Sequence, residues 1–110
     1  MMDSFRTAYI YVRNTFAGEL KETDAGYSFT YDSNYLTDDN ASQVSLTLPL
    51  QAESYTSNTL FSFFDGLIPE GWLLDVVSRN WKIKVNDRFG LLLIACKDSI
   101  GNVSVREERI

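Results

Sequence analysis

The chain has 110 residues, 45% apolar and 23% charged, proportions that suit a single globular domain. Its net charge of −5 and scattered basic residues argue against direct contact with nucleic acid, which requires clustered Lys and Arg. With no histidine and only one cysteine, Cys96, it lacks the commonest general base and zinc ligand, an intramolecular disulfide and a thiolate metal site.

The N-terminal half reads as strands. Thr7 to Arg13 is rich in β-branched and aromatic residues, and Asn14-Thr15 forms a turn. Phe16 to Leu20 follows as a second strand, in which Gly18 marks a bulge or a close approach of two backbones. After a turn at Asp24-Ala25-Gly26, Tyr27, Phe29 and Tyr31 alternate with Ser28 and Thr30, the period of a half-buried strand. Asp32 to Ser42 is polar and loop-like, with Tyr35-Leu36 anchoring a short turn. Val44 to Leu50 alternates again and reads as a strand that Pro49 confines to an edge or an end. Gln51 to Ser57 reads as a polar connection.

The C-terminal half reads as helical. Ser57 or Asn58 caps a short helix over Thr59 to Asp65, with Gly66 at its end. Pro69 opens a second helix, with Leu73, Val76, Val77 and Asn80 on one face, Trp72 and Trp81 flanking it, and Asp75 and Arg79 paired on the other side. Asn86 or Asp87 caps a third helix, Arg88 to Lys97, whose Phe89, Leu92, Leu93 and Cys96 follow the 3.6 period. Asp98 to Gly101 turns the chain into a closing strand carrying Val103 and Val105. These elements predict one α+β domain over residues 1–110: a small antiparallel, partly barrel-like sheet of about five strands with two to three helices in the C-terminal half.

No apolar leader is evident at the N-terminus, and the longest apolar run, Leu91 to Cys96, falls far short of the roughly 20 residues that span a bilayer. These features, with the single cysteine, predict a cytoplasmic protein. The six glycines form no phosphate-binding loop. Arg88-Phe89-Gly90 superficially resembles the kinase Asp-Phe-Gly element but has Arg in place of the metal-binding Asp. Asp38-Asp39-Asn40 lacks the spacing of a calcium loop. The expectation is a protein without catalysis, metal or cofactor, acting through contact with another chain. Leu60, Phe61, Phe63 and Phe64 would make a helix apolar on almost every face, which must be covered on more than one side. The turn Pro69-Glu70-Gly71 could project Trp72 outward, with Asp65, Glu70 and Asp75 supplying negative charge around it. Trp72, Asp65, Glu70, Gly71, Asp75 and Phe63 are therefore the candidate partner-binding residues. A core position for Trp72, a helix-ending role for Asp65 and a solvated face for Asp75 and Arg79 fit the same sequence. Phe61 and Phe64 read as core.

Several motifs carry a family resemblance: Gly18-Glu19-Leu20, Tyr27 to Tyr31, Val44 to Leu50 with its Leu48-Pro49-Leu50 end, Phe61 to Gly71, and Asp98 to Gly101 after the third helix. In them the chain resembles the N-terminal subdomain of the HipA family of bacterial Ser/Thr kinase toxins, over nearly its whole length. In such toxins the resemblance implies a following kinase body with the phosphate loop, catalytic Asp and metal ligands. Here the sequence ends at Ile110 and looks like a separately encoded, HipS-like version of the subdomain. The resemblance then implies an antitoxin that inhibits a HipT-like Ser/Thr kinase toxin, with a HipB-like DNA-binding protein as a further partner. The alternative is a structural or activating subunit of the kinase, or a tether to the HipB-like protein.

Overall fold

The computed structural model describes residues 5–68, 79, 87–95 and 103–108. Its sheet has five antiparallel strands: β1 (Thr7–Val12), β2 (Thr15–Thr23), β3 (Gly26–Tyr31), β4 (Tyr55–Ser57) and β5 (Val103–Arg106), in the spatial order β4-β3-β2-β1-β5. The sheet is open, with β4 and β5 as its edges. The described helices are α1 (Ser33–Leu36), α2 (Ser62–Asp65) and α3 (Arg88–Ala95), making the fold α+β.

The β1–β2 hairpin turns at Arg13 and Asn14, with φ of 49° and 68°, the positive values a type I′ turn requires at both central positions. The turn is thus one residue earlier than expected, and Thr15 already belongs to β2. Ile10 faces Gly18 and Tyr11 faces Phe16, so Ala17 is the extra residue of a β-bulge. Its carbonyl accepts the Asp32 N–H at 2.7 Å, tying the bulge to the residue that caps α1. Gly18 sits beside this bulge and also allows a close approach. A Cβ there would collide with the Thr30 carbonyl oxygen and lie 3.0 Å from Tyr31 Cα. Gly26 opens β3 at φ 141°, a backbone that disfavours side chains, and a Cβ would collide with the Ser57 carbonyl oxygen of β4.

Strand alternation places Ala8, Ile10, Val12, Leu20, Phe29, Tyr31 and Val105 in the core. Phe64 of α2 meets Phe29 at a ring separation of 5.4 Å, and Phe89, Leu91 and Leu92 of α3 are fully buried. Burial of Leu91 as well as Leu92 means that α3 is covered on more than one face. Phe61 and Phe63 are half-buried against the same core.

Three further sequence expectations change. Val44 to Leu50 is not a strand. Ser45 and Leu48 form an isolated bridge around a tight turn, so Val44 and Leu48 point inward while Leu46 and Leu50 are exposed. The fourth strand lies instead at Tyr55–Ser57, within the stretch that reads as a connection. The first C-terminal helix is also shorter than expected. It begins at Ser62 after an extended Phe61 and has no side-chain cap, while Ser57 Oγ accepts the Thr59 N–H outside the helix. Gly66 ends it in a right-handed conformation (φ −70°), so its freedom at positive φ is not used. The Pro69 helix, Trp81, Cys96 and Lys97, and the Asp98 to Gly101 turn lie outside the described residues.

Candidate functional site

Of the candidate partner-binding residues, Trp72, Glu70, Gly71 and Asp75 lie outside the described residues; Phe63 and Asp65 are described. Both stand on α2, whose anchor is Phe64. Its ring meets Phe63 edge-on at 5.2 Å and Phe61 at 6.3 Å. Phe63 therefore has one side against the core. Asp65 closes the helix and accepts a hydrogen bond from Arg88 Nε at 2.7 Å. Its charge is thus compensated within the chain by a partly exposed pair, which joins α2 to α3.

A second ionic cluster holds α3 to the sheet. Arg6 donates through Nε and Nη2 to Glu22 at 2.8 and 2.9 Å, and through Nη1 and Nη2 to Asp87 at 3.1 and 2.8 Å. Asp87 also caps α3 by accepting the Gly90 N–H at 3.2 Å, and the guanidinium lies 5.2 Å from the Phe89 ring centre. Hydrogen bonds from Arg6 hold the Glu22 and Asp87 carboxyls below their ordinary range, and those carboxylates keep Arg6 firmly protonated. Gly90 leaves room for this arrangement: a Cβ there would meet Asp87 Oδ2 and displace the carboxylate from its place. Arg88-Phe89-Gly90 is thus a joint between helix and sheet: Arg88 pairs with Asp65, Phe89 fills the core and Gly90 admits the cap.

Tyrosine hydroxyls organise the loop between α1 and β4. Tyr31 Oη accepts the Val44 N–H at 2.9 Å and donates to the Leu48 carbonyl. Tyr35 Oη accepts the Ser42 N–H at 3.0 Å and donates to the Ser42 carbonyl at 2.7 Å. Tyr55 Oη donates to the Pro49 carbonyl at 2.6 Å. Burial raises the pKa of Tyr31, which keeps its hydroxyl a donor. Beside the loop lies an open depression of about 250 Å³, lined by Thr47, Leu48, Tyr55, Leu60 and Phe61 among others. Sequence reasoning passed over this loop because its alternation resembled a strand. The available signal was a run of turn-forming Ser and Thr around Leu46.

Among the described residues no group of three or more His, Cys, Asp or Glu side chains is placed to hold a metal ion, and no helix is long and apolar enough to cross a membrane.

An open antiparallel sheet with short helices over its core face, fastened by ion pairs and tyrosine hydroxyls, defines the chain as a small α+β domain. The sequence profile of the HipA N-terminal domain matches residues 8–106, and the chain belongs to that family. A solved structure of the N-terminal domain of HipA toxin superposes with a TM-score of 0.72 at 29% identity, covering 99% of this chain and 98% of that one. An uncharacterized protein of Haemophilus influenzae is 31% identical over 109 residues, 99% of each chain.

Proposed function

We propose that this chain is an antitoxin: it binds a separately encoded HipA-like (HipT-type) Ser/Thr kinase toxin at or near the active-site cleft and inhibits it. The observation that carries this reading is the match to the HipA N-terminal domain alone, end to end in both chains. The Haemophilus relative, matched over 99% of its own length, is itself a protein of this domain's extent. A domain separated from its kinase loses the high effective concentration of covalent linkage and must bind through its own surface. In this reading Trp72 is the anchor, and Phe63, Asp65, Glu70, Gly71 and Asp75 surround it. A HipB-like DNA-binding protein completes the assembly, in the cytoplasm.

Co-expression with the kinase from the same genome tests the reading. An antitoxin restores growth of cells making the kinase and suppresses its phosphoryl transfer in vitro. Replacing Trp72 by Ala weakens the complex by at least about 2 kcal/mol, roughly thirtyfold. Deeper growth arrest on co-expression would instead establish an activating or structural subunit. That alternative draws support from the solved relative, which is a domain of the toxin itself.

A further inference from the structure

Between Asp39 and Asp65 the chain carries a single charged residue, Glu53, in a protein where charged side chains make up 23% of the sequence. The fold collects this neutral stretch into one region: the loop after α1, edge strand β4 and the entry to α2. Depletion of charge marks the core of a protein interface more reliably than apolar content does.

Leu46 stands at the tip of this region and is 87% exposed, and Leu50 a few residues on is 38% exposed. A single exposed Leu on a mobile loop would need no explanation. This one is held from below. Val44 and Leu48 on either side are buried in the core, and Tyr31 clamps both of their backbones. The turn between them is closed by the Leu48 N–H to the Ser45 carbonyl at 3.0 Å and by Ser45 Oγ accepting the Thr47 N–H at 3.2 Å. Tyr55 ties down Pro49 beyond it. An apolar knob fixed in this way loses little conformational entropy on binding. The neighbouring depression of about 250 Å³, lined by uncharged residues, supplies a hole beside the knob.

We infer that the Leu46 knob and the adjacent depression form a docking surface for the kinase of the proposed function. The matching kinase surface has an uncharged apolar pocket for Leu46 and a projecting apolar side chain for the depression. Basic groups at its margin would complement Asp38 and Asp39, which precede the neutral stretch, and Glu53, the one acid within it. The inference rests on the kinase-binding reading and adds a contact separate from Trp72.

The test is direct binding of the purified kinase by wild type, Leu46→Ala, Leu46→Glu and an Asn34→Glu control on exposed α1. Leu46 contributes little to the core, so all four proteins should melt within a few degrees of one another. Leu46→Ala is expected to lower kinase affinity about tenfold and Leu46→Glu further, with the control unchanged. Equal affinity of Leu46→Glu and wild type would overturn the docking surface while leaving kinase binding intact. A wild-type protein that ignores the kinase would overturn both. A wild-type dimer that Leu46→Glu converts to monomer would assign the surface to a second copy of this chain and also overturn the inference.

Discussion

Replacing Tyr31 by Phe removes one oxygen atom from the core and leaves the ring in place. That oxygen accepts the Val44 N–H at 2.9 Å and donates to the Leu48 carbonyl. The ring is 3% exposed and stacks on Tyr35 at 6.2 Å, so water has poor access to the vacated space. A buried backbone group left without a partner costs about 1–3 kcal/mol. Two such groups, offset in part by no longer burying the hydroxyl, give an expected loss of about 2–3 kcal/mol. For a domain of this size that lowers the melting temperature by roughly 10 °C. Tyr35→Phe is the comparator. Its hydroxyl serves only Ser42, which is partly exposed, so water can replace it and the loss should be about 1 kcal/mol or less. Urea titrations followed by tryptophan fluorescence and circular dichroism measure both. A Tyr31→Phe loss below about 0.5 kcal/mol, or one no larger than that of Tyr35→Phe, would refute the claim that this hydroxyl fixes the loop.

The ionic cluster predicts a pH dependence. Glu22 and Asp87 have folded pKa values below their ordinary 4.5 and 3.8, so their stabilisation is complete above those values and is lost as pH falls through the lower folded ones. Urea midpoints should stay level from neutrality to about pH 5 and then fall, and Arg6→Met should flatten that acid limb. Gly18→Ala should lose about 1–3 kcal/mol, because the new Cβ meets backbone of β3 that cannot move without separating the strands; an unchanged thermal midpoint would refute this. For the kinase complex, the basic margin proposed for the kinase, met by a chain of net charge −5, predicts association that slows with added salt, while docking through a neutral surface predicts dissociation that barely changes. Stopped-flow and surface-binding kinetics between 50 and 500 mM salt, a range of roughly tenfold in ionic strength, separate the two.

Where local pattern and tertiary packing agree, the fold was legible in the sequence. Tyr27, Phe29 and Tyr31 alternate because one sheet face is core, and Phe89 and Leu92 recur at helical spacing because α3 lies on that face. The Val44 to Leu50 stretch shows how the same argument fails. Its apolar residues alternate, but the turn at Ser45–Leu48 reverses the chain, so the buried pair is four residues apart and the alternate leucines face solvent. Periodicity assumes a straight element, and only the serine and threonine at the turn argued otherwise. β4 has three residues and one large side chain, too short for any period to show. The Arg6–Asp87 contact spans 81 positions and carries no local signal at all. The family motifs were legible because their residues have fixed structural tasks: Gly18 admits the β3 backbone, and Phe64 reaches Phe29.

The placement of charge links fold to proposed function. The ion pairs from Arg6 and Arg88 gather around the start of α3, where they fasten it to the residue before β1, through that residue to β2, and to α2. The charges of the Arg6 cluster are compensated internally, so a partner gains little by approaching them and would have to desolvate groups already satisfied. The stretch from the α1 loop to α2 is opposite in character: almost uncharged, held by tyrosine hydroxyls and presenting an apolar tip. Tyrosine suits that task because its ring belongs to the core while its hydroxyl fixes a loop without placing a charge at the surface. The Arg6 and Arg88 pairs thus serve the packing of α3, and the proposed docking surface is the neutral, preorganised stretch. A partner that docks on such a surface must offer shape and apolar area rather than charge.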